Sequence, residues 1–78
     1  MALGLVTDIE VRAREALSRS SIYVLREIDV ELDGSAIRLE GCVDSFYHKQ
    51  LAQELVKNVL DGVEVVNALR VDYNRQRT

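Results

Sequence analysis

Two neighbouring stretches in the middle of the chain, residues 27–32 and 37–43, alternate between apolar and polar side chains. A period of two is typical of strands that bury one face and expose the other. Gly41 falls on the inward side of the second stretch. A glycine there indicates close approach of another segment, or a bulge. We therefore predict two strands, with Gly41 inside the second of them.

The two strands are joined by Asp33-Gly34, which is a strong hairpin signal because glycine accepts a positive φ without penalty. A two-residue loop would place Asp29 opposite Arg38 on the outer face, as a favourable cross-strand pair. A four-residue loop, from Asp33 to Ala36, keeps the same side chains inside. The pattern therefore predicts a hairpin and leaves its register open.

Two stretches with helical periodicity, residues 7–19 and 46–60, flank the strands. Their apolar side chains recur every three or four residues, which predicts amphipathic helices. Thr7 and Glu10 have capping-box spacing, so we expect the first helix to begin at Thr7. Asp44-Ser45 offers N-cap chemistry for the second helix. The predicted buried faces consist of Ile9, Ala13, Ala16 and Leu17 in the first helix and of Ala52, Leu55, Val56, Val59 and Leu60 in the second.

Residues 64–73 show the alternation of a third strand, which follows the second helix after Gly62. Glycine is the usual residue at the left-handed C′ position behind a helix, and we expect Gly62 to occupy it. Asn67 breaks the alternation because it falls on the inward side. We expect its side chain either to bond a nearby backbone group or to be rotated outward by a bulge.

The order of the predicted elements is helix, strand, strand, helix, strand. Both amphipathic helices need a surface to cover, so the simplest arrangement is an α+β fold, αββαβ, with a three-stranded sheet and both helices packed on one face. Residues 22–26 connect the first helix to the first strand, and we expect Tyr23 and Leu25 to plug the base of the core. The third strand can lie beside either the first or the second.

The composition is that of one small globular domain. A hydrophobic content of 47% with 29% charged residues is not that of a disordered chain. We divide the chain into an N-terminal lead-in (1–6), a single domain (7–73) and a basic C-terminal tail (74–78). The net charge of −3 argues against a nucleic-acid partner, because binding the phosphate backbone requires a basic surface.

The sequence contains no run of about 18 apolar residues that could span a bilayer. Its N-terminus lacks the basic segment of a signal peptide. As it stands, the chain is expected to be cytoplasmic, and to be periplasmic or envelope-associated if it is part of a longer exported protein. Cys42 is the only cysteine and cannot form an internal disulfide, which is compatible with a reducing compartment.

Residues 13–71 resemble the BON domain, a small module named for bacterial osmotically induced periplasmic and nodulation proteins. Residues 37–45 (I-R-L-E-G-C-V-D-S) are similar to the family's V-x-L-x-G-x-V-x-S run, and residues 62–71 (G-V-E-V-V-N-A-L-R-V) to its G-V-x-x-V-x-N ending. The hairpin is one residue longer than is usual in the family, and Cys42 stands where a polar or small residue is commoner. The motif positions are Gly34, Gly41, Gly62, Val63 and Asn67.

The resemblance implies an αββαβ fold, no catalysis and no cofactor. It also implies a binding role, because BON domains are associated with phospholipid or membrane surfaces and with protein interactions in envelope assemblies. The partners expected from it are a phospholipid or membrane surface, or alternatively a protein partner or a second copy of the chain. For the protein-binding alternative we expect the sheet edge, or an outer-face strip of Val66, Ala68 and Cys42, to form the contact.

Phe46, Tyr47, His48 and Lys49 form the candidate binding cluster at the start of the second helix. Amphipathic aromatic residues beside a cation suit the headgroup region of a membrane. The resemblance adds that lipid binding in the family is associated with this helix. The alternative, which the pattern favours, is that Phe46 and Tyr47 cap the hydrophobic core. We expect His48 to face solvent.

No other group of residues in the sequence favours an enzyme or a metal site. Cys42 has Arg38 and Glu40 as strand neighbours and therefore lacks an adjacent base. Asp29, Glu31 and Glu40 are expected on an open sheet face, without a cleft that would prepare carboxylates for acid–base catalysis. His48 is the only histidine, so a metal site built on it would need ligands of other types.

Overall fold

Two helices and five short strands make up residues 2–73, the part of the chain that the computed structural model describes, with side chains for residues 8–73. The predicted α+β class and the order αββαβ are confirmed, with the second and third strands each divided in two. The elements are α1 (Ala2–Ser18), a 3₁₀ helix (Tyr23–Glu27), β1 (Asp29–Asp33), β2 (Ala36–Glu40), β3 (Cys42–Val43), α2 (Phe46–Val59), β4 (Val65–Asn67) and β5 (Arg70–Val71). The predicted basic tail, 74–78, lies outside the described residues.

The last strand lies beside the second, which answers the question that the sequence left open. β1 and β2 are antiparallel, β4 runs parallel to β2 on its other side, and the order is β1-β2-β4. β3 and β5 continue that parallel pair. The ladder is unbroken, because Ala68, Arg70 and Asp72 donate their N–H groups to the carbonyls of residues 39, 41 and 43 over 2.8–3.0 Å.

The hairpin turn consists of Gly34 and Ser35, because Asp33 pairs with Ala36. Leu32 therefore lies opposite Ile37, as in the second predicted register, in which the loop runs from Asp33 to Ala36. The expected pair of Asp29 and Arg38 is therefore wrong. Arg38 lies opposite Glu31, and Asp29 lies opposite another carboxylate, Glu40. The alternation of side chains could not decide between the two registers, since both keep the same residues inside.

Both helices pack on the face of the sheet that carries the apolar side chains. α1 contacts α2 and β1, while α2 contacts β4. The predicted helix faces are buried at Ala13, Leu17, Ala52, Val56 and Leu60, whereas Val59 is 36% exposed, so its predicted burial is wrong. The largest fully buried side chains are Leu17, Leu25, Val30, Ile37, Leu39, Val43 and Val56.

Two predictions for the N-terminal half are wrong. α1 begins at Ala2, so Thr7 lies inside the helix and is not its N-cap. Alanine and leucine in residues 2–5 are good helix formers, so the helix extends on the N-terminal side of Thr7. Tyr23 is 65% exposed, because the 3₁₀ helix turns it outward and buries Val24 and Leu25 instead. The expected burial of Leu25 is confirmed.

Gly41 separates β2 from β3, and the backbone conformation at this position requires a glycine. Its φ is +131°, a region that residues with a side chain rarely adopt. A Cβ at this position would meet only the Cα of Ile28, at 3.9 Å, so close approach is not the reason for glycine. Gly62 also has a positive φ, but it lies two residues beyond the C-cap Leu60 and not at C′.

Candidate functional site

The candidate site is built on the N-terminus of α2, which is capped by Ser45. Ser45 has extended backbone and its hydroxyl accepts the N–H of His48 at 3.1 Å, as expected of an N-cap. Asp44 does not cap the helix, and its carboxylate instead accepts a hydrogen bond from Nδ1 of His48. The cap fixes Phe46 and Tyr47 at the first two helical positions.

Phe46 and Tyr47 project into solvent, with exposed fractions of 64% and 69%. Side chains of a helix lean toward its N-terminus, so rings in the first turn extend past the end of the helix, where no further turn covers them. The interpretation that Phe46 and Tyr47 cap the hydrophobic core is therefore wrong. The side chains that fill the core beside them are Val43, Ala52 and Val56.

A third exposed ring, Tyr73, lies against Phe46. Their ring centroids are 6.3 Å apart at an interplanar angle of 61°, an edge-to-face contact, and Tyr73 is 58% exposed. We call Phe46, Tyr47 and Tyr73 the aromatic patch. Tyr73 was missing from the candidates because its place depends on the strand order. β5 runs parallel to β3, which leads directly into α2, so the chain beyond β5 arrives beside the start of that helix.

His48 and Lys49 are half-buried and stand behind the rings. The side chain of His48 is only 21% exposed, and its ring lies 5.5 Å from that of Tyr47, so the expectation that it faces solvent is wrong. A carboxylate oxygen accepts in such a contact, so Nδ1 of His48 is the donor to Asp44. Lys49 forms no ion pair within the range that the structure describes.

Asn67 ties β4 to α2 beside this site. Its Nδ2 donates to the carbonyl of Lys49 at 2.8 Å and to Oε1 of Gln53 at 3.1 Å, while its Oδ1 accepts the N–H of Leu69 at 3.2 Å. The expected bond between this inward asparagine and nearby backbone is therefore confirmed. A polar side chain is compatible with this apolar position because its amide nitrogen and its oxygen both find partners.

The outer face of the sheet is charged and open. Arg38 donates to Glu40, and this contact, with smaller contributions from Asp33 and Glu31, raises the pKa of the Arg38 guanidinium above its ordinary value. Cys42 is half-buried, and the guanidinium of Arg70 donates to its Sγ at 3.4 Å. Among residues 2–73, no group of three or more His, Cys, Asp or Glu side chains could hold a metal ion.

The described helices also bear on membrane topology. Neither is both long enough and apolar enough to cross a bilayer.

Comparison with known families gives a match over most of the chain. The sequence model of the BON domain matches residues 6–73, which extends from α1 to the third ring of the aromatic patch. No curated protein sequence matches the chain. The family match covers the whole described αββαβ unit apart from the first residues of α1, and it includes the motif positions Gly34, Gly41, Gly62, Val63 and Asn67.

Proposed function

The chain belongs to the BON domain family, and on that premise we propose that it is a non-enzymatic binding module that contacts phospholipid surfaces through the aromatic patch. The patch would insert its rings among the lipid headgroups. His48 and Lys49, the next two residues of α2, would add polar contacts to the headgroups. This proposal needs no cofactor and no metal ion.

The observation that supports the proposal is the exposure of three rings at the start of α2, two of which, Phe46 and Tyr73, are in contact. Phe46, Tyr47 and Tyr73 each leave more than half of their surface in water although a core lies beside them. Adjacent exposed apolar groups are characteristic of interaction sites. Tyrosine suits a membrane interface in particular, because its ring is apolar and its hydroxyl remains hydrated.

Charge contributes little to the proposed contact. The domain carries a net charge of −3, and Lys49 is the only lysine or arginine among the first four positions of α2. One lysine near an anionic surface contributes about 1 kcal/mol. We therefore expect binding to depend more on the rings than on the headgroup charge, and to survive an increase in salt that abolishes purely electrostatic binding.

Titration of the isotopically labelled domain with anionic and with zwitterionic lipid micelles, followed by the backbone amide signals, tests this proposal. We expect shifts in residues 45–50 and at Tyr73 with both lipids. The double variant Phe46→Ser/Tyr47→Ser is expected to lose at least about nine tenths of its affinity, which corresponds to about 1.4 kcal/mol.

Tyr23→Ser is the matched control for that variant. It also removes a ring that is about two-thirds exposed, but this ring packs against the guanidinium of Arg26, 5.3 Å from its centroid, and not against the patch. An equal loss of affinity in the control would mean that any exposed ring serves and would contradict the assignment to α2. An absence of shifts with either lipid at saturating micelle concentration would overturn the proposal.

A protein-binding role is the second candidate, and the edge of the sheet at β4 favours it. β4 pairs only with β2, so its other side has no strand among the described residues. Val66 and Ala68, on the outer face next to that edge, are only half-buried. Loss of a protein contact in Val66→Lys, with lipid binding retained, would support this candidate.

A further inference from the structure

The sheet has two edges, and one of them is closed by a side chain of α1. Leu39 directs its carbonyl to Ala68 of the neighbouring strand, so Val30, opposite Leu39 in β1, directs its own backbone away from β2. The guanidinium of Arg14 donates to that outward carbonyl of Val30 at 2.8 Å and to Glu10 at 2.9 Å. A further strand at β1 would have to displace this arginine.

The other edge, at β4, has no strand beside it among residues 2–73. The even-numbered residues Ala68, Arg70 and Asp72 donate toward β2 and β3, so the odd-numbered residues direct their backbone groups outward. The N–H of Leu69 is bonded to Oδ1 of Asn67. The N–H groups of Val65 and Asn67 have no strand beside them in residues 2–73. Such an edge is a template for one more strand.

The sequence of this edge is self-complementary about Asn67. Val66 and Ala68 lie one residue to either side of Asn67, and Glu64 and Arg70 lie three residues to either side. Glu64 and Arg70 are exposed, and neither forms an ion pair with another described residue. A two-fold axis through Asn67 would exchange each member of these pairs with the other.

We infer that the edge at β4 pairs antiparallel with the same edge of a second copy of the chain, with Asn67 opposite its own counterpart. Contacts between identical copies related by a two-fold axis require a surface complementary to itself. In this register, Glu64 of each copy lies opposite Arg70 of the other. Val66 lies opposite Ala68 on the same face, and two three-stranded sheets become one sheet of six strands.

The register also fixes the backbone hydrogen bonds. The two Asn67 residues would exchange a pair of N–H···O=C bonds, because their backbone groups are directed outward. The N–H of Val65 would reach the carbonyl of Leu69 in the second copy, while Leu69 keeps its own N–H on the Asn67 side chain. Pairing through a single strand on each side buries less surface than stable dimers generally do, so we expect association to be weak and reversible.

Amide hydrogen exchange over a concentration series up to about 1 mM tests the pairing directly, since weak dimers populate in that range. We expect Val65 and Asn67 to gain protection as concentration rises. Ala68, Arg70 and Asp72 bond within the chain and serve as internal controls, because their protection is expected to be independent of concentration. Exchange at Val65 and Asn67 that stays fast at every concentration, in a monomer by sedimentation, would overturn the inference.

Charge reversal tests the register. Glu64→Arg and Arg70→Glu each turn two attractive cross-strand pairs into repulsive ones, so each is expected to weaken association by about tenfold. The double variant Glu64→Arg/Arg70→Glu is expected to restore it. Within one chain the two side chains are six strand residues, about 20 Å, apart, so an interaction inside the monomer cannot explain a rescue.

Net charge provides the control for this experiment. Glu64→Arg makes the domain less negative and Arg70→Glu makes it more negative, so an effect of net charge alone would act in opposite directions in the two variants. Two single variants that associate like the wild type, or a double variant that is not rescued, would contradict the proposed register. Phe46→Ser/Tyr47→Ser is expected to leave association unchanged, which separates this edge from the proposed lipid site.

Discussion

Asn67 in β4 donates its side-chain amide to the backbone carbonyl of Lys49 in α2 across 2.8 Å. The same amide reaches Gln53 one turn further along the helix, and its oxygen holds the N–H of Leu69. One side chain thus links β4 to the first two turns of α2. Because the aromatic patch takes two rings from α2 and one from the chain beyond β5, this link also fixes the two parts of the patch relative to each other.

Replacement of Asn67 is expected to destabilise the domain. Asn67→Ala removes three hydrogen bonds and leaves the half-buried N–H of Leu69 without its partner, so we expect the free energy of unfolding in urea to fall by about 1–3 kcal/mol. Gln53→Ala removes only one of these bonds and is the control, with an expected loss of about 0.5–1 kcal/mol. Equal losses in the two variants would mean that the bonds to Lys49 and Leu69 contribute nothing.

Asn67→Asp sharpens the same prediction, because it changes the donor and keeps the size of the side chain. An ionised carboxylate would face two acceptors, the carbonyl of Lys49 and Oε1 of Gln53. We expect this variant to be at least as unstable as Asn67→Ala, since it adds repulsion to the lost bonds. A stability equal to that of the wild type would contradict the donor role of Asn67.

Asparagine substitutions at two glycines are expected to have different costs. Gly34 has a φ of +63°, which asparagine adopts readily, whereas Gly41 has a φ of +131°, which it does not. No atom would clash with an added Cβ at either site. We therefore expect Gly34→Asn to cost less than about 1 kcal/mol and Gly41→Asn about 1–3 kcal/mol. Similar unfolding free energies for the two variants would show that Gly41 does not require its unusual conformation.

The parts of the fold that depend on local chemistry were predictable from the sequence. The alternation in residues 27–43 predicts the strands and which of their side chains are buried. Ser45 caps α2 because a serine directly before a helix can accept a backbone N–H of its first turn. For Asn67 the pattern allows either a bond to nearby backbone or outward rotation by a bulge, and the structure shows the first. The register of the hairpin was not predictable, since a shift of two residues leaves every side chain on the same face.

The candidate site was predictable only where its residues are neighbours in sequence. Phe46 and Tyr47 stand out as a pair, but the same pair is compatible with a core cap and with an exposed surface. Which of these is correct depends on how α2 lies on the sheet. Tyr73 joins the patch only because β4 and β5 lie beside β2 and β3. Periodicity carries no information about strand order. The predicted burial of Tyr23 is wrong for a different reason, because the apolar content of residues 22–26 does not reveal the 3₁₀ helix that turns the ring outward.

Salt is expected to reveal the role of Arg38 on the outer face. Its pKa is raised chiefly by Glu40, with Asp33 and Glu31 acting in the same direction. A cation with a raised pKa contributes its stabilisation at every pH below its ordinary pKa and loses it only in strongly alkaline solution. The contribution from Arg38 titration is therefore constant through the neutral range, and ionic strength is the variable to change.

Arg38→Gln is expected to lower the melting temperature in dilute buffer, because it leaves Glu31, Asp33 and Glu40 without their shared cation. The difference from the wild type is expected to shrink in about 1 M salt, where the screening length is about 3 Å. Arg12→Gln is the control, since its partner Asp8 lies 3.8 Å away on an exposed helix face, where ion pairs contribute little. A difference that does not change with salt would indicate a packing role for Arg38.

Truncation of the exposed rings is expected to cost far less stability than truncation of the core. Tyr47→Ser should change the free energy of unfolding by less than about 0.5 kcal/mol, as for other surface positions. Phe46→Ser also loses the edge contact with Tyr73, for which about 0.5–1.5 kcal/mol is typical. Leu39→Ala, at a fully buried position, is expected to cost about 2–5 kcal/mol.

The comparison of these three variants decides between the two interpretations of the α2 N-terminus. If Tyr47→Ser approached the loss in Leu39→Ala, the ring would be part of the core and unavailable to a ligand. A small loss together with reduced binding to lipid micelles would separate the two roles in one variant. The folded domain does not need rings in that position, so their exposure at the start of α2 would then be explained by binding.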